Sequence, residues 1–284
     1  MTNRASFEDG PGGRGGVQLA LPPLTPVTKR LLILNAGIFF ASWLLGLAAP
    51  GALDSIYTAL SLDPWAWREW FPLVPVWQLF TYGFLHSTTS LGHLFWNLLQ
   101  LYFFGTMLEG LIGGRRFLTT YLAAMLAGAL LHLVVEGLSG TESPVIGASG
   151  AALGVVVATA TLQPRTRVLM LFIPLQLWVL AGAIVLLDLM AALEGLVRGS
   201  SDGVAHWVHL GGALWGFLAA RLGWLRIDWL ERLRARRAVS AEQSRREEEQ
   251  EMDRLLAKIH GEGMSALTSR ERAFLKRVSG RRQG

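Results

Sequence analysis

The sequence has no cysteine. Disulfides, thiolate nucleophiles and Cys-based metal sites are therefore excluded. Charge is scarce as well: 17% of the 284 residues are Asp, Glu, Lys or Arg, against 51% hydrophobic, and the mean hydropathy is +0.37. That balance is too apolar for an ordinary soluble domain. There is no internal repeat of the kind that marks many transporters. The metalloprotease pattern HExxH is also missing. No secretory signal is expected, since the first apolar stretch comes late and is too short.

What is present fits an integral membrane protein. The 11 Trp suit membrane interfaces and the 32 Gly suit close helix packing. Residues 1–220 carry 10 Lys+Arg and 11 Asp+Glu, while residues 221–284 carry 16 and 10. The apolar body thus sums to −1 and the tail to +6, matching the total of +5. A basic tail with alternating signs suits an anionic membrane surface better than nucleic acid.

Residues 1–27, rich in Gly and Pro, are expected to form a flexible arm. Lys29-Arg30 precedes a charge-free run that predicts a first span over 31–49. Residues 50–90 combine rings (Trp65, Trp67, Trp70, Phe71, Trp77) with Pro64, Pro72 and Pro75, which predicts a long interfacial loop. Further spans are expected at 91–111, 117–138, 147–163, 168–192 and 204–222, the fourth being short. Basic residues alternate between connections: Arg115-Arg116 and Arg165/Arg167 on one side, few on the other. The positive-inside rule then gives six helices with both termini cytoplasmic. In the tail, Met252, Leu255, Leu256 and Ile259 predict one short amphipathic helix, ended by Gly261 and Gly263. Thr268-x-x-Glu271 predicts a second, carrying Phe274, Leu275 and Val278.

Polar residues inside spans default to functional hypotheses. The second, fourth and sixth spans run in one direction. Near their outer ends they carry His93 and Asn97, Ser149, and His206 and His209. At ~1.5 Å per residue these fall within about 10 Å of one depth. Gly150/Gly154 and Gly212/Gly216 are small-xxx-small pairs that would let the fourth and sixth helices approach closely. That approach would bring Ser149 within reach of His209, as general-base activation of a serine requires.

Three motifs carry a resemblance. They are Gly147-Ala148-Ser149-Gly150, His93-Leu-Phe-Trp-Asn97 and His209-Leu-Gly-Gly212-Ala-Leu-Trp-Gly216. Together, in order and on alternate helices, they resemble the GxSG, HxxxN and HxxGxxxG of the rhomboid family of intramembrane serine proteases. The resemblance covers about residues 28–225. Gly105 and Glu109 stand where the family often has them. Trp77-Gln78 stands where it often has Trp-Arg, a departure.

The resemblance implies an all-α, six-helix bundle with residues 28–225 as the protease domain and 226–284 as a cytoplasmic extension, similar to some bacterial members. It implies a Ser149–His209 dyad without an essential acid. The implied oxyanion hole comprises His93, Asn97 and the backbone N–H groups of Ser149 and Gly147. No cofactor or metal is expected. The implied substrates are transmembrane proteins, and the implied location is a bacterial inner membrane with the site near the outer face. The alternative is a catalytically silent relative that binds membrane clients; such proteins generally lack the Ser or the His.

The remaining polar residues are weighed singly. His206 is a second contact, a substrate contact or an interfacial group, the last being favoured. His86 borders the cavity or meets headgroups. His132 is expected to be a packing histidine. Asp188, late in the expected fifth span and toward the outside, could orient a histidine; the resemblance implies no essential acid, so it is left out of the chemistry. A di-His metal site using His93, His206 and His209 lacks a carboxylate at a matching level.

Overall fold

The computed structural model describes residues 22–140, 143–170, 173–198, 202–226, 229–264, 267–269, 271–272 and 275. Most of the expected flexible arm, and Phe274 and Val278 of the second tail helix, lie outside the described residues. The chain divides into two units, Met1–Ile227 and Asp228–Gly284.

The first unit is mostly helical. Helix α1 spans Pro26–Ala48 and begins at a proline, whose fixed φ and missing N–H suit the first turn. Its other N–H groups are capped from a distant part of the chain. Glu109 accepts from the backbone N–H of Val27 (3.0 Å) and Thr28 (2.8 Å), and from the hydroxyls of Thr25 and Thr28. A carboxylate there also meets the positive end of the helix dipole.

The expected interfacial loop contains three short helices: α2 (Pro50–Leu60), α3 (Pro64–Glu69) and α4 (Gln78–Thr81). Pro50 and Pro64 each open a helix, so the prolines that argued against one straight span instead start short ones. Gln78, the departure noted above, is buried at the centre of this region. Its carbonyl accepts from the Asp63 N–H (3.1 Å) and Trp67 Nε1 (3.2 Å), and its amide donates to the Ala59 carbonyl (3.4 Å). A neutral amide therefore ties together three points of the loop.

Helix α5 (Leu91–Gln100) continues through a π turn at Leu101–Gly105 into α6 (Thr106–Ile112). Helix α7 is Gly114–Ser139 and α8 is Ser149–Leu162. A hairpin follows: β1 (Arg167–Met170) pairs antiparallel with β2 (Ile173–Gln176). Helix α9 is Leu177–Arg198 and α10 is His206–Arg221. The hairpin corrects the expected fifth span, which was to begin near residue 168. Pro174 cannot continue a helical hydrogen-bond ladder and instead faces Leu169 in the hairpin. Among the described residues, α1, α7 and α9 are long and apolar enough to cross a membrane, and α8 is a shorter apolar helix of 14 residues.

Helix α8 is the centre of the bundle, buried at every position from Gly150 to Ala160. Glycine makes this packing feasible. A Cβ on Gly212 would collide with the Gly150 carbonyl oxygen, and one on Gly216 with that of Gly154. The seam extends to α7: a Cβ on Gly211 would lie 2.6 Å from the Ala127 carbonyl oxygen, and one on Gly128 2.6 Å from that of Val208. Such backbone contact replaces the hydrophobic drive that lipid cannot supply.

The second unit is described separately. Helix α11 spans Trp229–Glu262, longer than the short helix expected. Its surface carries ion pairs one turn apart, Arg246–Glu242 and Arg254–Glu251, which support a helix with little apolar content. It ends at Gly263, whose φ of 85° is left-handed. The Thr268/Glu271 pair then forms its capping box: the Glu271 carboxylate accepts from the Thr268 N–H at 2.8 Å, and the Thr268 hydroxyl accepts from the Glu271 N–H at 3.3 Å.

Candidate active site

Ser149 is the first residue of α8, and the segment leading to it is held from several directions. Leu62 and Val145 exchange two backbone hydrogen bonds (3.0 and 2.9 Å). His132 Nε2 lies 3.1 Å from the Ser143 carbonyl, and the Ser143 N–H donates to Glu136 (3.3 Å). The Gly147 N–H donates to the carbonyl of Tyr82 at 2.9 Å. Tyr82 is itself fully buried, with its hydroxyl on the Met125 carbonyl (2.7 Å). Burial and the nearby Tyr121 raise its pKa well above the ordinary phenol range, so it stays a neutral donor. His132 thus acts as a packing histidine that anchors this loop.

These contacts correct one expectation. The Gly147 N–H is engaged by Tyr82, so it is not a free donor for an oxyanion. Gly147 serves differently. Its φ of 125° favours glycine, and a Cβ there would lie 2.7 Å from His93 Cε1 and 2.8 Å from His93 Nε2. The missing side chain lets the His93 ring rest against the backbone just before Ser149.

Asn97 approaches the same place, its Nδ2 being 3.8 Å from that Cβ position. Asn97 is 3% exposed, and its Nδ2 has no hydrogen-bond partner. A buried amide donor left unmatched costs free energy unless something else accepts from it. The first N–H groups of α8 also have no acceptor within the helix. His93, Asn97 and the start of α8 therefore gather donors at one point.

Ser149 Oγ lies 2.7 Å from His209 Nε2. On its far side, His209 Nδ1 lies 2.9 Å from Asp188 Oδ1. The same oxygen is 2.5 Å from His206 Nδ1, and His206 Nε2 is 3.1 Å from Asp202 Oδ2. His206, favoured as an interfacial group, is clamped between two carboxylates. Asp188, left out of the chemistry, is buried on α9 and touches both histidines.

Asp188 is also the carboxylate that a di-His site was expected to lack, and its ligand-capable atoms and those of His206 and His209 lie within 4.8 Å of one another. Hydrogen bonding among the three accounts for that spacing. The sequence signalled Asp188 only as an ionisable residue late in an expected span; helix α9 carries no motif that assigns it a role. Asp202, outside the spans, accepts from the Val204 N–H (2.9 Å) and from His206, and both contacts lower its pKa.

His86 is fully buried, its Nε2 without a partner and its ring 5.4 Å from that of His93. Burial first, then the neighbouring His93, push it down to about 4. It therefore lines the site from inside and does not meet headgroups.

A family profile described as the Rhomboid domain matches residues 74–226. A second, described as a family of unknown function, matches residues 241–281. Rhomboid protein 1, mitochondrial, of Saccharomyces cerevisiae is 34% identical over 163 residues, covering 56% of this chain and 45% of that protein. RHOMBOID-like protein 12, mitochondrial, of Arabidopsis thaliana is 30% identical over 164 residues, covering 52% and 46%. Presenilin-associated rhomboid-like protein, mitochondrial, of Homo sapiens is 30% identical over 130 residues, covering 46% and 34%. The chain spans less than half the length of these curated relatives. Their names place them in mitochondria. This overturns the expected bacterial inner membrane, and with it the bacterial subtype and the sidedness of termini and site.

Proposed function

The chain belongs to the rhomboid family, and on that premise we propose that it is an intramembrane serine endopeptidase that cuts peptide bonds in or near transmembrane segments of other proteins. The observation that carries this reading is the 2.7 Å contact between Ser149 Oγ and His209 Nε2 at the half-buried first residue of α8. A client-binding relative without chemistry would have no need of it.

The steps follow from the geometry. The Ser149 hydroxyl attacks the scissile carbonyl carbon while His209 Nε2 takes its proton. The carbonyl oxygen becomes an oxyanion, and the donors gathered at the start of α8 receive it: the unpartnered Asn97 Nδ2, His93 and the Ser149 N–H. Removing one such donor typically costs roughly 10²–10³ in rate. The C–N bond then breaks, His209 returns the proton to the departing amine, and an acyl-Ser149 ester remains. Water, activated by the same imidazole, hydrolyses the ester and restores the serine. The substrate helix must open first, because a regular helix keeps its carbonyls in its own hydrogen bonds.

We assign six spans: α1, α5 with α6 through the π turn, α7, α8, α9 and α10. At ~1.5 Å per residue, the 14 residues of α8 extend only about 21 Å, short of the ~30 Å hydrocarbon core. Ser149 would therefore start below the membrane surface, reached by water through a polar cavity. Residues 28–225 form the catalytic body in this reading, and 226–284 a separate tail. The names of the relatives point to a mitochondrial membrane. The test is cleavage of a single-span reporter by the purified protein. Ser149→Ala should abolish it while leaving yield and Tm intact; persistent cleavage by that variant would overturn the assignment.

A further inference from the structure

Hydrogen-bond bookkeeping around His209 reaches beyond a two-residue mechanism. An ionised carboxylate only accepts. His209 Nδ1 faces Asp188 at 2.9 Å, so Nδ1 carries the proton and Nε2 presents its lone pair to Ser149. That is the tautomer a general base needs, and Asp188 enforces it. His206 has both nitrogens on carboxylates, Asp188 at 2.5 Å and Asp202 at 3.1 Å, so both must donate and the ring is an imidazolium. A line of alternating charge thus runs from Asp202 through His206 to Asp188 and ends on the neutral His209. The rings of His206 and His209 stand nearly perpendicular, at 88°, with centroids 6.1 Å apart. One oxygen, Asp188 Oδ1, receives from both.

We propose that Asp188 is a positioning residue that completes a Ser149–His209–Asp188 triad, and that His206, braced by Asp202, holds its carboxylate in place. The inference rests on the serine-protease reading above. Each turnover makes His209 an imidazolium. Asp188 lies against the ring nitrogen that bears the new charge, and orients the ring beforehand. Among the described residues, the ionisable groups around His209 are Asp188 from α9, His206 one turn back on α10, and His93 from α5. Of these, Asp188 alone is negative.

Helix α9 has few buried positions, and Asp188 is the one polar member among Leu177, Leu180, Ala181, Asp188 and Ala192. A carboxylate sheltered there, with two histidines as its partners, is placed for chemistry more than for packing.

The test uses the full chain, the single-span reporter and five proteins: wild type, Asp188→Asn, Asp188→Glu, Asp202→Asn and Ser149→Ala. Asp188→Asn should lower kcat by at least about 100-fold with KM nearly unchanged, the direction seen where a triad loses its orienting carboxylate. Asp188→Glu should recover part of kcat. Asp202→Asn should cost less than Asp188→Asn.

A merely structural Asp188 would show a lower Tm or a raised KM, with no recovery of kcat by Glu. That pattern, or wild-type kcat in Asp188→Asn, would overturn the proposal. Loss of cleavage in Ser149→Ala beside an unaffected Asp188→Asn would sink the triad and leave the protease reading standing. Cleavage by Ser149→Ala would sink the protease reading itself.

Discussion

Helices α8 and α9 both contribute to the site, but they are held in opposite ways. Helix α8 is buried on every side, and it meets α10 backbone to backbone through Gly150, Gly154, Gly212 and Gly216. Helix α9 keeps most of its length on the outside of the bundle; Trp178, Leu186, Leu187 and Met190 are exposed. Near the site it is tied to α10 by the polar contacts of Asp188. Ser149 therefore sits on the most deeply buried element, and Asp188 on a helix whose outer face is exposed. Backbone packing fixes position, whereas a hydrogen-bonded pair fixes position only while its partners are present.

The contrast can be broken most forcefully at the seam. Gly212→Val would drive a side chain into the Gly150 carbonyl. Overpacking against backbone has no rotamer escape, so a loss of about 3 kcal/mol or more is expected. The check is the yield of monodisperse protein and its Tm; a folded variant with wild-type Tm would mean that α8 and α10 are not locked.

A smaller effect is expected at another polar tie, the capping of α1 by Glu109. Glu109→Gln keeps the shape but surrenders charge-assisted bonds from Val27, Thr28 and Thr25. This should cost about 1–3 kcal/mol, seen as a lower Tm, with little change in kcat for the protein that remains folded.

Acid probes His86, a buried histidine whose Nδ1 lies 3.3 Å from the Phe84 carbonyl and whose Nε2 has no partner. The folded-state pKa of His86 is about 4, below its ordinary 6.5. The unfolded chain thus takes up a proton that the folded one refuses, and stability falls as pH drops from about 6.5 towards 4. Relative to wild type, His86→Gln should flatten the decline of Tm across this window; an unchanged slope would show that His86 protonates freely in the fold.

The smallest effect is expected on α9. A Cβ on Gly182 would meet nothing within 4 Å. Gly182→Ala should leave Tm unchanged or raise stability by up to about 1 kcal/mol through helix propensity. A clear loss at Gly182 would mean that α9 is packed as tightly as α8.

Much of this arrangement was legible in the sequence because its causes are local. Three motifs name Ser149, His93, Asn97 and His209, and glycine spacing predicts which helices touch. What escaped depends on distant parts of the chain. Asp188 stands out as an ionisable residue in an expected span, but its partners appear only when α9 is placed beside α10. Gly128, four residues after Ala124, and Gly211 extend the seam into α7, where spacing alone does not name the partner helix. The Gly147 N–H looked available until the fold brought the Tyr82 carbonyl against it. The hairpin at 167–176 was hidden inside an apolar run whose composition suits a helix and a strand equally; Pro174 was the clue, and its meaning depended on which residue it faced.

The central claim is that Ser149 is a nucleophile activated by His209, and reaction with a fluorophosphonate probe tests it most directly. The wild-type protein should take up the label at one site, Ser149→Ala should take up none, and His209→Ala should label far more slowly with its fold intact. Equal labelling of wild type and Ser149→Ala, or wild-type protein that stays unlabelled in a folded state, would contradict the account.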